Sequence, residues 1–344
     1  VCGKKIGPDP RNFNQRVSLG RNDLLIRTFP KGWLMFTPDQ LHADGKMNDE
    51  LQEVADNSHI YLICKKPKAT CCNEQPIIHN GLVSGKVSSR VKGKEIVSEY
   101  TFPFEFEDNE VSLNVADYPH KKIQTLKSDG LWERYWPSDV LALYTGNDIY
   151  RNFEVLYVGQ AFAEGKRTAI DRLKSHSTLQ KILAETMSDY PDDQVFIFNL
   201  VYDDYILLTS FDGRDKTSIT GEEDNIRLKS IIDNHLSQKE VICLAEAGLI
   251  RYFQPKYNAI YKESFPASDQ KILSGCFALD FSGLSVEIEL SQSPFRLYSD
   301  KIKSSYHHIA AFNLSDKEER LGFFTLSDGV TETNILGNII KMEK

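Results

Sequence analysis

The period of apolar and polar residues changes twice along the chain. Up to about residue 135, short runs rich in β-branched and aromatic residues (59–64, 82–91, 95–106 and 110–115) alternate with Gly, Asn and Asp, which predicts strands and turns. Asp108-Asn109, between Phe104-Glu105-Phe106 and Val111-Ser112-Leu113, predicts a hairpin turn. The aromatic stretch 131–137, with Trp132, Tyr135 and Trp136, closes this region. From 140 to 265 the period moves between strand and helix, as expected of helices packed on a sheet. Beyond Pro266 the alternating segment 284–290 and the runs 309–314 and 322–326 predict strands again. The expectation is an α+β protein: a β-rich N-terminal domain over 1–137, a central mixed domain over 138–266 and a small β-rich region over 267–344.

Within the central part, Leu141-Ala142-Leu143-Tyr144 and Val155-Leu156-Tyr157-Val158-Gly159 predict a two-stranded hairpin that turns Tyr144 and Tyr157 to one face. Gly159 ends the second strand without a Cβ, so backbone or substrate can come close. Thr168 and Asp171 have capping-box spacing and predict a helix running from 168 to 187, with Arg172 and His176 stacked one turn apart. The nearly unbroken apolar run 194–202 predicts a strand buried on both faces. A charged loop over 212–224 and a helix over 225–236 follow.

A helix over 239–253 carries Glu246 among Ile242, Leu249, Ile250 and Phe253, all on its own face. An unpaired carboxylate there costs several kcal/mol, so it calls for a cation, a donor or a raised pKa. Mg²⁺, which takes one or two protein carboxylates, answers that need, and so does a structural Arg or Lys. Gln254-Pro255-Lys256-Tyr257-Asn258 predicts a turn in which the Asn258 amide pins the loop.

In order and type these residues resemble the GIY-YIG endonuclease family: Tyr157-Val158-Gly159 as the second signature strand, Arg172 and His176 on the helix, Glu246 and Asn258 at the close. The first strand departs, with Ala142-Leu143-Tyr144 in place of Gly-Ile-Tyr, and Tyr150 is a rival for the first tyrosine. The resemblance implies a small three-stranded sheet flanked by helices and a metal-dependent DNA endonuclease of restriction or anti-phage type. It implies Mg²⁺ or Mn²⁺ on Glu246, Tyr144 as general base with lowered pKa, and Tyr157 orienting the water or phosphate. Arg172 would neutralise phosphoryl charge, His176 would assist by hydrogen bonding or proton movement, and Asn258 would hold the site together.

The net charge of −8 argues against a protein that coats nucleic acid, yet it leaves room for a local basic site. Residues 65–94 hold seven Lys and Arg against Glu74 alone, which makes Lys86, Arg90, Lys92 and Lys94, with Lys174 on the signature helix, candidate phosphate contacts. DNA is the expected partner, with RNA and a homo-oligomeric or defence-complex association open. Six scattered cysteines suggest reduced thiols; Cys64, Cys71, Cys72 and His79 cluster without a CxxC knuckle. No run reaches the ~18 apolar residues of a membrane span and the first ten residues lack an apolar signal core, so a cytoplasmic protein is expected. The competing readings are a catalytically decayed nucleic-acid-binding module and an interaction scaffold.

Overall fold

A single strand, apolar on both faces, organises the architecture. The computed structural model describes residues 2–4, 23–42, 48–161, 169–202, 204–210, 222–260 and 281–314. The chain begins with β1 (Cys2–Lys4), β2 (Asp23–Thr28), β3 (Gly32–Phe36), α1 (Asp49–Asn57) and β4 (Ile60–Pro67). Asn48 caps α1 by accepting the Leu51 N–H at 2.9 Å. Residues 60–64 of β4 are all buried, so the strand needs cover on both faces and neighbours on both edges.

After β4 the chain runs out into a lobe built from β5 (Thr70–Cys71), β6 (Ile77–His79), β7 (Leu82–Val91), β8 (Lys94–Pro103), β9 (Glu110–Val115), β10 (Lys122–Lys127), β11 (Trp132–Pro137) and α2 (Ser138–Leu143). It returns with β12 (Asn152–Gln160), α3 (Ala169–Leu173), α4 (Ser177–Asp189), β13 (Asp193–Leu200), β14 (Tyr205–Ser210), α5 (Glu222–Asp233), α6 (Gln238–Phe253) and α7 (Lys256–Ile260). It closes with β15 (Gly283–Glu289), β16 (Arg296–Tyr298) and β17 (His307–Asn313).

The main sheet has the order β1-β3-β13-β4-β12-β16, with β4 antiparallel to both β13 and β12. A second sheet has the order β14-β2-β15-β17. Between them lies α6, buried on nearly every side, its Ile242 and Leu249 sharing one core with Leu62, Val158 and Phe198 of the main sheet and Val286 of the second. Gly248 permits the approach, because a Cβ there would stand 2.6 Å from Val286 Cγ2. On the other face of the main sheet, Ile63 and Ile197 pack with Val54, Leu173 and Ile182 from α1, α3 and α4. The lobe has its own core around Val83, Val87, Tyr100, Phe102, Ile123 and Leu141.

Several expectations change. The main sheet draws strands from all three predicted parts, so the boundaries at 137 and 266 do not separate domains, and the sheet has six strands where the resemblance implied three. The segment expected as a first signature strand forms α2, because Leu141 and Ala142 both turn into the lobe core. Asp108-Asn109 does turn, with Asn109 at φ 74°, yet 104–107 is not a strand and β9 pairs with β10. The helix expected over 168–187 is broken into α3 and α4, with His176 at the second N-cap. Thr168, Gly165, residues 212–221 and 322–326 lie outside the described residues.

Candidate active site

Tyr157 finds its phenolic partner on β4. Gly159 pairs with Tyr61 and Tyr157 with Ile63, so the side chains of Tyr61 and Tyr157 share one face of the main sheet. Their ring centroids are 6.1 Å apart. Tyr61 is wholly buried, and a hydrogen bond joins its hydroxyl to that of Tyr157. A Cβ at Gly159 would lie 2.6 Å from Tyr61 Cζ and Oη and 2.7 Å from Tyr157 Cε1, so the glycine is what lets both rings occupy this face.

The break between α3 and α4 brings the imidazole over the two phenols. Its ring centroid is 5.6 Å from that of Tyr61 and 5.5 Å from that of Tyr157. As N-cap, His176 Nδ1 accepts the Leu179 N–H at 3.3 Å, which leaves the proton on Nε2, and Nε2–H donates to Tyr61 Oη at 3.3 Å. Burial first and the Arg172 charge second bring its pKa down to about 4, so the ring is neutral at physiological pH.

Arg172 and Glu246 complete the group electrostatically. Tyr61 is held well above the ordinary phenol value, chiefly by burial and then by Tyr157; Arg172 pulls it down and Glu246 pushes it up. Glu246 is 6% exposed among the apolar neighbours the sequence suggested. Its helix is fixed over the sheet one turn earlier, where the buried Gln160 amide donates to Cys243 Sγ at 3.6 Å. A full capping box of Ser237 and Glu240 starts that helix, and Gln254, left-handed at φ 47°, ends it.

Asn258 sits on α7 and clasps β12. Its Oδ1 accepts the Val158 N–H and its Nδ2 donates to the Val158 carbonyl, both at 2.8 Å, so one amide replaces a neighbouring strand beside Tyr157 and Gly159. Tyr257, its chain neighbour, donates to Glu185 Oε2 at 2.6 Å and ties α7 to α4. The strand ends are fastened as well: Ala161 N–H donates to His59 O at 2.7 Å and Ala169 N–H to Ser58 O at 3.0 Å.

Tyr144 is not part of this group. It caps the C-terminus of α2 in the lobe, 51% exposed, with its ring 5.1 Å from that of Phe102. The rival Tyr150 is buried in the lobe core. The phenol that faces Tyr157 is therefore that of Tyr61, in a strand the apolar pattern had predicted, and residues 68–151 separate that strand from β12. Tyr157 and His176 pack against it, Asn258 clasps β12 beside it, and the charges of Arg172 and Glu246 act on its phenol.

Of the seven cations in the basic stretch 65–94, Lys65, Lys66 and Lys86 are paired with carboxylates, the first two with acids outside that window. Lys65 pairs with Asp193 at 2.6 Å and Glu154 at 3.4 Å, and Lys66 with Asp139 at 3.0 Å. Lys86 binds Glu74 at 3.0 Å and stands across from Glu99, while Arg90 stands across from Glu95. Lys92 and Lys94 remain exposed at the β7–β8 turn, and Lys174 is exposed beside the site. Cys64 and Cys71 belong to different cores and His79 is exposed, so these residues do not converge. Comparison with protein-family models, curated proteins and solved structures returns no match.

Proposed function

We propose that the chain is a divalent-metal-dependent endonuclease of the GIY-YIG type, acting on DNA in restriction or anti-phage defence, with Tyr61 in the place of the first signature tyrosine. The observation that carries the reading is the convergence of two phenols, a neutral imidazole, a guanidinium and a buried carboxylate from five elements around Tyr61. Phosphodiester hydrolysis needs these types: donors for phosphoryl oxygens, positive charge against the developing negative charge, and a group to take the proton from water.

The residues fit a Mg²⁺ or Mn²⁺ ion held by one protein ligand. Glu246 is buried and its charge is felt at Tyr61, and among the described residues no group of three or more His, Cys, Asp or Glu is gathered for a metal. A lone carboxylate, with water and phosphate in the other positions, suits an octahedral hard cation. Bound there, such an ion supplies Lewis-acid stabilisation of the phosphate and of the departing oxygen.

Arg172 neutralises charge on the phosphoryl oxygens, and Tyr157 donates to the phosphate or the attacking water. Tyr61, once ionised, takes the proton from that water; burial opposes the ionisation and Arg172 favours it. The Nε2–H of His176 stabilises the phenolate and holds it in place. Asn258 keeps β12, and with it Tyr157 and Gly159, at a fixed distance from α7.

The test is cleavage of duplex DNA with Mg²⁺ by the wild type and by Tyr61→Phe, Arg172→Ala and Glu246→Gln, with Tyr144→Phe as control. Each of the first three variants loses about 10²–10³-fold in rate, and Tyr144→Phe retains full activity. Equal cleavage by wild type and Glu246→Gln would overturn the reading. The raised pKa of Tyr61 favours a second reading, a binding module that keeps the fold of the site without the reaction. It is distinguished by DNA affinity that survives in a wild type showing no cleavage with either metal.

A further inference from the structure

The three-stranded sheet of the lobe has two unlike faces. Leu113, Ile123 and Thr125 are buried and face the lobe core. On the other face the register forms two rows across β9, β10 and β11: Asn114–Gln124–Tyr135 and Ser112–Leu126–Trp132. Trp132 and Tyr135 are 53% and 51% exposed, with ring centroids 5.7 Å apart. Lys122, on the same face, carries its ammonium 5.1 Å from the Trp132 ring and 4.9 Å from the Tyr135 ring. The positions of these rows hold no carboxylate, in a chain of net charge −8, and Glu133 on β11 is engaged by Lys127.

We infer that this face binds single-stranded nucleic acid, with unpaired bases stacked on Trp132 and Tyr135, their edges met by Asn114 and Gln124, and a backbone phosphate held by Lys122. The chemistry favours this occupant over an apolar protein surface, because Leu126 is the only aliphatic residue in the two rows. Exposed aromatic rings give every base a π-face to stack on, amides can read base edges, and a cation balances the phosphate. The inference goes beyond the nuclease reading and does not need it: the face lies on the lobe, away from the group around Tyr61.

The test uses the full chain in EDTA, so that no metal-dependent cleavage occurs. The probes are a ten-nucleotide oligothymidylate, an abasic strand of equal length, the corresponding duplex and a hexasaccharide of glucose. Oligothymidylate quenches tryptophan emission and binds at least tenfold more tightly than the other three. Trp132→Ala and Tyr135→Ala each weaken it by about tenfold, within the range for loss of one stacked base, with the thermal midpoint unchanged because both side chains are exposed. Lys122→Ala lowers the salt slope by about 0.7. Binding is read in EDTA, whereas the reading at Tyr61 is tested by metal-dependent cleavage, which separates failure here from failure there. Equal affinity for the abasic strand or the hexasaccharide, full affinity in Trp132→Ala, or a concentration-dependent dimer abolished by Trp132→Ala would each overturn the inference.

Discussion

Gly159 and Tyr61 are register partners on adjacent antiparallel strands, and the missing side chain of one is the space occupied by the ring of the other. Gly159→Ala would set a methyl group 2.6 Å from a ring with no exposed surface to move into. Overpacking of this kind costs roughly 1–3 kcal/mol. The expected outcome is a lower thermal midpoint together with at least tenfold slower cleavage. An Ala variant with wild-type melting and rate would remove the steric account of this glycine.

On the proposed mechanism, ionisation of Tyr61 sets the pH dependence of cleavage. Its phenol is held well above 10 by burial, so the ionised fraction grows about tenfold per pH unit through the neutral range. Cleavage by the wild type therefore rises with slope near one between pH 7 and 9, and Tyr61→Phe flattens the profile. A bell centred near neutrality would point to another base.

Two imidazoles, one half-buried and one buried, make stability pH-dependent. His176 and His308 are both lowered from 6.5 to about 4, mainly by burial, so between those values the unfolded chain binds more protons than the folded one. Stability is complete above about pH 6.5 and declines as pH falls toward 4. Urea midpoints measured across this window trace the decline, and His176→Asn, which can still cap α4, makes it shallower. A midpoint indifferent to pH from 7 to 4.5 would refute the assignment.

Asn258 both accepts from and donates to Val158. Asn258→Asp keeps the acceptor and sets a carboxylate against the Val158 carbonyl, whereas Asn258→Ala leaves both backbone groups unsatisfied in a buried position. Both variants lose about 2–4 kcal/mol in denaturant titrations, on the scale of two buried hydrogen bonds. Retention of stability in Asn258→Asp would mean that only the accepted N–H matters.

Asn199, on β13, is the register partner of Tyr61 and fully buried, and among the described residues neither of its amide atoms has a hydrogen-bond partner. Burying an amide without partners costs about 1–3 kcal/mol, so Asn199→Leu, similar in shape, raises the thermal midpoint by several degrees. A lower midpoint would show that the amide is satisfied in solution.

Local chemistry was legible in the sequence where a single segment carried it. The run 194–202 lacked alternation and is the strand between β3 and β4, and the carboxylate of Glu246 among apolar neighbours is indeed buried on α6. What a segment pairs with was less legible. The sequence offers Tyr144, with Tyr150 as a rival, as the phenol near Tyr157, because adjacent strands are usually joined by short turns, and here the connection is an entire lobe. The break at His176 was hidden because apolar spacing continues through both short helices. The basic run looked unbalanced because its acids, among them Glu95, Glu99, Asp139, Glu154 and Asp193, lie beyond it in sequence.

The lobe leaves the main sheet at the end of β4 and re-enters at the start of β12, and the two strands are hydrogen-bonded neighbours, with Lys65 paired to Glu154. Both of its stalks thus stand side by side, while Tyr61 and Gly159 meet at the far end of the same ladder. A module hung in this manner can be enlarged, shortened or exchanged without changing the spacing of the residues that face one another at the opposite end. Variation in the lobe is thereby uncoupled from the geometry around Tyr61.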